Sequence, residues 1–291
     1  MEGIVIKGYS GFYYVDVAGE LWECSLRGRF KLDKINVLAG DRVIIKPRHG
    51  RSGVVVEVLP RRNELVRPPV ANVDKAVIIT ALKHPDPSTI LLDRFLVYAE
   101  AARVQPVIVF NKADLHRCGE GLDLETIYKN IGYRVLVTST KGGQGIDELK
   151  GIVREGVSVF AGASGVGKSS LLNCLQPGLK LKTGEVGAKL KRGRHTTRHV
   201  ELMSLEGGGL VVDTPGFSSL YMPEIKREEL GFLFPEFDQY DIHCRFSGCL
   251  HNQEPDCAVR QAVLDNKIEQ HRHKHYLEFL AEVIERERSY K

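Results

Sequence analysis

The sequence predicts an α/β protein assembled from a small all-β barrel, a parallel-sheet unit and a mostly helical end that carries a Cys/His cluster. Three observations carry that expectation. Residues 3–59 hold five short strand-like runs without a helix-period segment, strands and helices alternate from residue 75 onward, and the cluster is followed by a tail with helical apolar spacing. At 291 residues the chain exceeds one average domain, and 43% hydrophobic with 27% charged residues is ordinary for a globular protein. No apolar run approaches the roughly 18 residues of a membrane span. The opening "MEGIVIKGYSG" lacks the order of a signal peptide. A cytoplasmic protein without a membrane partner is the expectation.

The first runs are "GIVIK", "FYYVDV", "ELWECSL", "DRVIIK" and "GVVVEVL", separated by turns rich in Gly, Lys and Arg. Five short strands in this arrangement suggest a barrel of the OB type. Residues 1–68 hold 12 Lys or Arg against 8 Asp or Glu, while the rest of the chain holds 29 of each, so the whole net charge of +4 sits here. A basic barrel points to nucleic acid. Phe12, Tyr13, Tyr14 and Trp22 either stack on RNA bases or face the core. "PRRNELVRPPVANVD" (60–74) reads as a linker.

Beyond it, "KAVIIT", "PVIVF", "YRVLVTS", "VSVFAG", "HVELMSL" and "GGLVVD" read as strands, and "STILLDRFLVYAEAA", "GIDELKGIV" and "KSSLLNCL" as helices. The alternation implies a mostly parallel sheet covered on both faces.

Gly162–Ser169, "GASGVGKS", is a phosphate loop between a strand and a helix. Gly162, Gly165 and Gly167 let backbone N–H groups approach phosphate oxygens, and the run Gly162, Ala163, Ser164, Gly165, Val166, Gly167, Lys168, Ser169 and Ser170 forms the expected nucleotide cradle. Lys168 is placed to reach the β- and γ-phosphates and Ser169 to hold Mg²⁺. Asp213, opening "DTPG" after an apolar strand, suits the outer Mg²⁺ position, and the Gly216 N–H suits the γ-phosphate.

"NKAD" places Asn111 and Asp114 to recognise guanine, because a carboxylate accepts from the ring N–H and exocyclic amine that adenine does not offer there. Asn111 is expected at the opposite edge, Lys112 over the ring, and Ser139 of "TSTK" at a further contact. These base-reading residues precede the phosphate loop. Because ligands bind at the carboxyl ends of parallel strands whatever their order, the chain reads as a circularly permuted phosphate-loop GTPase domain cut after the Asp213 strand.

"CRFSGCLHNQEPDC" sets Cys244, Cys249, His251 and Cys257 within 14 residues. Three thiolates and an imidazole are a closed, structural zinc set; His243 is a competing ligand. Cys24, Cys118 and Cys174 read as packing residues. In the tail, Leu264, Ile268, Leu277, Leu280 and Ile284 are expected to be buried, and "HRHKH" (271–275) either touches RNA phosphate or forms a solvated face.

The order "NKAD", "GASGVGKSS", "DTPG", behind a basic barrel and ahead of the Cys/His cluster, resembles the ribosome small-subunit-dependent GTPase A family over nearly the whole chain. The resemblance implies a GTP-hydrolysing factor, with GTP or GDP, Mg²⁺ and one Zn²⁺, that acts in late maturation of the small ribosomal subunit and binds its rRNA. Other assembly factors are possible partners, and a monomer is expected. It also implies that "GRHTTR" (193–198) is the first switch. There Thr197, or its neighbour Thr196, would hold Mg²⁺, and His195 would position water in place of the Gln that Phe217 replaces, unless His195 meets rRNA or solvent instead. The expected units are 1–68 (OB-type, RNA-binding), 69–222 (permuted GTPase) and 223–291 (zinc-binding, helical), with nucleotide state setting the posture of residues 217–291. Two alternatives stand beside this reading: an RNA-binding assembly factor with little turnover, and a GTPase in metal handling.

Overall fold

Five strands close the N-terminal barrel: β1 (Glu2–Tyr9), β2 (Phe12–Val17), β3 (Glu20–Leu26), β4 (Arg42–Pro47) and β5 (Ser52–Val58), in the order β1-β2-β3-β5-β4. The computed structural model describes residues 1–28, 36–115, 123–176, 200–212 and 222–289. Alternation along the strands fills the barrel, with Val15 and Val17 of β2 and Val43 and Ile45 of β4 turned inward onto Val5, Cys24 and Val55. Tyr13 and Trp22 pack against this core, Tyr14 donates to Glu23 at 3.2 Å, and Phe12 stays 46% exposed. Of the four aromatics, Phe12 therefore stands farthest out, and Tyr9, which the sequence reading does not single out, is more exposed still.

The stretch read as a linker is an ordered ribbon. β6 (Glu64–Val66) pairs antiparallel with β7 (Pro69–Ala71), with Leu65 opposite Val70 and both buried. Its prolines mislead because Pro69 opens a three-residue strand, a position where a missing N–H is tolerated. The ribbon joins barrel to sheet. Ala39 bridges to Val70, and Arg61 donates to Asp41 at 2.7 and 2.8 Å and to Glu64 at 2.5 Å. Lys7 of β1 pairs with Glu201 at 2.7 Å on the sheet side.

The central sheet comprises β8 (Lys75–Ala81), β9 (Gln105–Asn111), β10 (Arg134–Val137), β11 (Val157–Ala161), β12 (Leu202–Ser204) and β13 (Leu210–Val212), in the order β10-β9-β8-β11-β13-β12. All neighbours are parallel except β12 and β13. One face is covered by α1 (Thr89–Ala101) and α2 (Leu124–Ile131), through Leu92, Phe95, Leu96 and Tyr128. The other is covered by α3 (Ile146–Val153) and α4 (Lys168–Leu175), through Leu149, Ile152, Leu171 and Leu175. Helix α2, absent from the sequence reading, starts at Asp123, whose side chain caps Thr126 N at 3.1 Å.

The C-terminal unit runs through 3₁₀ turns at Arg227–Glu229, Gly231–Leu233 and Pro235–Phe237, then the short α5 (Asp238–Asp241), α6 (Ala258–Leu264) and α7 (Gln270–Ser289). Its core of Phe234, Phe237, Val259, Tyr276 and Phe279 also takes in Val97 of α1. Leu264 does not belong to it. In α6 the buried positions are Val259, Ala262 and Val263, so Leu264 falls on the outer face, 73% exposed. Ile268 and Leu280 are buried as expected, and Leu277 and Ile284 flank the core.

The reading of "HRHKH" as a solvated face is overturned, and an RNA contact through Arg272 or His275 is excluded by their burial. Arg272 is 0% exposed and His275 is buried, while Lys274 faces outward. Arg272 opens the inward stripe Arg272, His275, Tyr276, Phe279, Leu280 and Val283, a 3.6-residue period in which two polar residues take core positions. Arg272 Nε and Nη2 donate to the two carboxylate oxygens of Glu236 at 2.6 and 3.0 Å, and Nη1 donates to Asp93 of α1 at 2.7 Å. Asp93 also accepts from Tyr128 at 2.6 Å, with His275 Nδ1 at 2.6 Å from its second oxygen. Burial alone would raise the Asp93 carboxyl, but Arg272, His275 and Tyr128 together hold it below the usual range. Among the described residues no helix is long and apolar enough to cross a membrane.

Candidate functional site

Parallel strands β8, β9, β10 and β11 deliver their carboxyl ends to one edge of the sheet. There the segment after Ala81, the loop after Asn111, the turn at Thr138 and Ser139, and the loop from Gly162 meet. Residues 55 and 53 positions apart in sequence are stitched together directly. Asn111 is 1% exposed; its Nδ2 donates to the Val166 carbonyl at 2.8 Å, and its Oδ1 accepts from Thr138 Oγ1 at 3.0 Å. Lys112, in a left-handed conformation at φ 64°, donates from Nζ to the Gly165 carbonyl at 2.6 Å and to the His84 carbonyl. The loop that follows β9 and the loop from Gly162 thus meet at one place. The Asn111 amide fixes one loop on the other.

Asp114 accepts from Ser139 Oγ at 2.7 Å, with Lys141 Nζ at 3.7 Å. The Ser139 hydroxyl is the main reason that the Asp114 carboxyl sits below its usual range. A carboxylate kept ionised is purely an acceptor, which suits the guanine-reading role expected of Asp114 from its spacing. Ser139 Oγ in turn accepts from Gly142 N at 3.2 Å, so the serine is held in place from behind.

Two glycines of the phosphate loop are required by geometry. At Gly167 (φ 100°) a Cβ would lie 2.3 Å from Asn111 Nδ2, and at Gly162 (φ 143°) one would lie 2.1 Å from the Ile79 carbonyl. Val166 is buried on the core, and Ser164 and Gly165 are exposed at the loop apex. Lys168 opens α4, with Ser169 and Ser170 behind it in the first turn. Its Nζ donates to the Gly162 and Ala163 carbonyls at 2.8 and 2.7 Å, and burial lowers its proton affinity. An ammonium held on carbonyls inside its own loop lies at the loop's mouth, where anionic oxygens are stronger acceptors.

A second cluster lies in the C-terminal unit. The ligand atoms of Cys244, Cys249, His251 and Cys257 all lie within 4.8 Å of one another. Cys244 and Cys257 Sγ are 3.9 Å apart, and His251 Nδ1 is 3.7 and 3.5 Å from them. Tetrahedral zinc, with bonds of about 2.3 Å to sulfur and about 2.0 Å to nitrogen, sets ligand atoms roughly 3.5–3.8 Å apart, so the set is compatible with zinc. His251 Nε2 faces Asp241 Oδ1 at 3.4 Å, the outer contact that orients a ligating imidazole. Burial pushes the Cys249 thiol up to about 12 and raises Cys257. Thiols in such a pocket keep their protons unless a cation displaces them. His243 is exposed and stands outside the cluster.

The model of the RsgA GTPase family matches residues 58–223, and that of the RsgA N-terminal domain matches residues 2–55. The chain belongs to the RsgA GTPase family. A Moorella thermoacetica relative named small ribosomal subunit biogenesis GTPase RsgA is 53% identical over 290 residues, covering 100% of both chains. One from Carboxydothermus hydrogenoformans with the same name is 51% identical, covering 99% of this chain and 100% of its own. The crystal structure of YjeQ from Thermotoga maritima superposes with a TM-score of 0.86 at 40% identity, covering 97% and 98% of the two chains. That of YloQ, described as a circularly permuted GTPase, superposes at 0.83 with 43% identity, covering 98% and 95%.

The RsgA GTPase assignment makes this a GTP-hydrolysing enzyme of permuted order, with guanine nucleotide as its ligand. Asp213, Gly216 and Phe217, together with His195, Thr196 and Thr197, lie outside the described residues, as does Cys118. Cys24 is buried in the barrel core, and Cys174, within α4, packs half-buried against the core beneath that helix. Two site features escape the sequence reading. Thr138, next to Ser139 in "TSTK", orients the Asn111 amide, and its place at a strand end was the available signal. The segment 82–88 meets both loops: the His84 carbonyl accepts from Lys112 Nζ, and Pro85 Cδ is 3.8 Å from where a Gly165 Cβ would stand. Its signal was a Pro-rich turn at the carboxyl end of β8.

Proposed function

We propose that this RsgA GTPase binds the small ribosomal subunit through its rRNA and acts in that subunit's late maturation, with subunit-stimulated GTP hydrolysis driving release or a checkpoint. The observation that carries this is the stitching of Asn111 and Lys112 onto Val166 and Gly165, which makes one guanine-triphosphate cleft in a chain whose full-length relatives are named for small-subunit biogenesis. Within it Asp114 reads the guanine N–H and amine, Lys112 covers the ring, and Asn111 and Ser139 hold the reading loops. Backbone N–H groups of Gly162, Ala163, Ser164, Gly165, Val166, Gly167, Lys168, Ser169 and Ser170 cradle the phosphates.

For hydrolysis, Lys168 transfers its donors from the loop carbonyls to the β- and γ-phosphates, and the Gly216 N–H holds the γ-phosphate. Ser169 and Thr197 would hold Mg²⁺, with Asp213 outside them; the ion would neutralise phosphate charge. His195 positions the attacking water, a task that Phe217 has no hydrogen-bonding group to perform. Cys244, Cys249, His251 and Cys257 would hold one structural zinc. The barrel, with its basic surplus and outward Phe12, faces rRNA. Such a protein works in the cytoplasm as a monomer, beside other assembly factors.

The test is turnover of GTP and ATP by the purified chain with small subunits, large subunits or neither. Stimulation by small subunits, confined to GTP, is expected; equal stimulation by large subunits, or turnover of ATP at the same rate, refutes the reading. A His195→Ala chain that keeps nucleotide affinity and stimulated turnover removes that residue's assignment.

A further inference from the structure

The buried charge cluster around Arg272 lies directly behind the base-reading loops. Asp93 sits five residues into the helix that follows Ser88, and the segment before Ser88 meets the nucleotide cleft at two points: the His84 carbonyl takes Lys112 Nζ, and Pro85 lies against Gly165. Tyr128, whose hydroxyl donates to Asp93, has its ring 6.4 Å from that of Phe110, the residue before Asn111. Asp93 is therefore linked to both sides of the base-reading loop by one short stretch of packed structure each. On its other side it is held by Arg272 and His275 of α7, and Arg94 reinforces the seam by pairing with Glu282 and stacking 4.7 Å over Phe279.

We propose that Asp93 is a positioning residue for the guanine site, through which the docked C-terminal unit holds α1 and α2 in the arrangement that presents Lys112 and Asn111. Nucleotide occupancy and docking of that unit are then linked, and each strengthens the other by the same factor. The coupled elements are α1 and α2, a route separate from the residues after Asp213 that the sequence alone suggested. A carboxylate of α1 whose three donors are Arg272 and His275 of α7 and Tyr128 of α2 has no second arrangement at similar cost, so the three helices move together or not at all.

The test uses the full chain. GDP is expected to slow hydrogen exchange in residues 270–289, although α7 carries none of the nucleotide-site residues. The triple variant Asp93→Asn, Glu236→Gln, Arg272→Met removes all three charges together, so no buried charge is stranded. It is expected to fold, to lose that protection and to bind GDP about tenfold more weakly. Should the triple variant not fold, Tyr128→Phe decides, with an expected twofold to fivefold loss of GDP affinity, roughly the effect of one hydrogen bond. Unchanged exchange in α7 on adding GDP, or wild-type GDP affinity in the folded variant, overturns the proposal. It rests on guanine binding at Asp114, which is checked separately: Asp114→Ala is expected to lose GDP without altering α7 exchange in the nucleotide-free protein. Retention of GDP by that variant points to a fault in the site assignment, distinct from a fault in the coupling.

Discussion

The barrel and the C-terminal unit are both fastened to the central sheet by an arginine on a buried aspartate, and the two joints differ in how much water the arginine keeps. Arg61 retains 24% of its side-chain exposure over Asp41, whereas Arg272 retains none over Asp93. At the barrel joint Asp41 has a further donor in the Leu38 N–H at 2.8 Å, and Glu64 stays in solvent. At the other joint two carboxylates have lost their water and share one guanidinium, which also lies 4.6 Å from the Phe234 ring. The same residue types therefore make a tether in one place and a keystone in the other. Burial decides, because the cost of stranding a charge rises steeply as water is removed.

The largest expected effect comes from breaking the keystone. Arg272→Met leaves Asp93 and Glu236 uncompensated and is expected to lower unfolding free energy by about 3–5 kcal/mol in a denaturant titration. Neutralising both carboxylates alongside it should restore most of the loss. A cost below about 1 kcal/mol for the single change would erase the distinction between the joints. Acid sharpens the same point. Asp93 is held below its ordinary 3.8, so its contribution is complete above the unfolded-chain value and is lost as pH falls through the lower folded value. Stability from this joint should thus be intact at ~pH 5 and fade only in stronger acid, and Asp93→Asn should flatten that part of the acid limb.

The tether should yield less. Arg61→Met keeps the stem that packs between barrel and ribbon and leaves Asp41 one backbone donor, so a loss of about 1–2 kcal/mol is expected. Its signature is separation of domains: the barrel should become more protease-sensitive while GTP turnover without ribosomes is retained. A loss as large as that of Arg272→Met would make both joints keystones.

Legibility in the sequence divides along the same line. The convergence of Asn111 to Asp114 with Gly162 to Ser170, and of Cys244 to Cys257 with one another, could be anticipated because each motif is packed into a few consecutive residues of fixed spacing, and the strands of the barrel and sheet because burial imposes a short period. Neither joint could. Arg272 meets Glu236 and Asp93 across 36 and 179 residues, and its local context, "HRHKH", looks like a solvated run. Arg61 meets Asp41 20 residues away, inside a Pro-rich stretch whose two short strands are visible only once Leu65 and Val70 are seen to pair. Charge composition says nothing about burial when the partner is remote. Likewise Leu264 was misplaced because apolarity alone does not fix helical phase.

The smallest expected effect lies at the outer edge of the barrel joint. Lys7 and Glu201 pair at 2.7 Å with side chains 34% and 50% exposed, joining β1 to the residue before β12. The pair forms in high dielectric, immobilises two long side chains and is screened by salt, so Lys7→Gln should cost about 0.2–1 kcal/mol at low ionic strength and less at high salt. Lys7 also lies 5.4 Å from the Tyr14 ring centroid, a contact that salt screens less than the ion pair. A Glu201→Gln chain separates the two, because it removes the pair and keeps the ring contact. If Glu201→Gln matched Arg61→Met in its cost and did so independently of salt, the barrel would be held by its rim instead of by Asp41, and the contrast between tether and keystone would have to be redrawn around that edge.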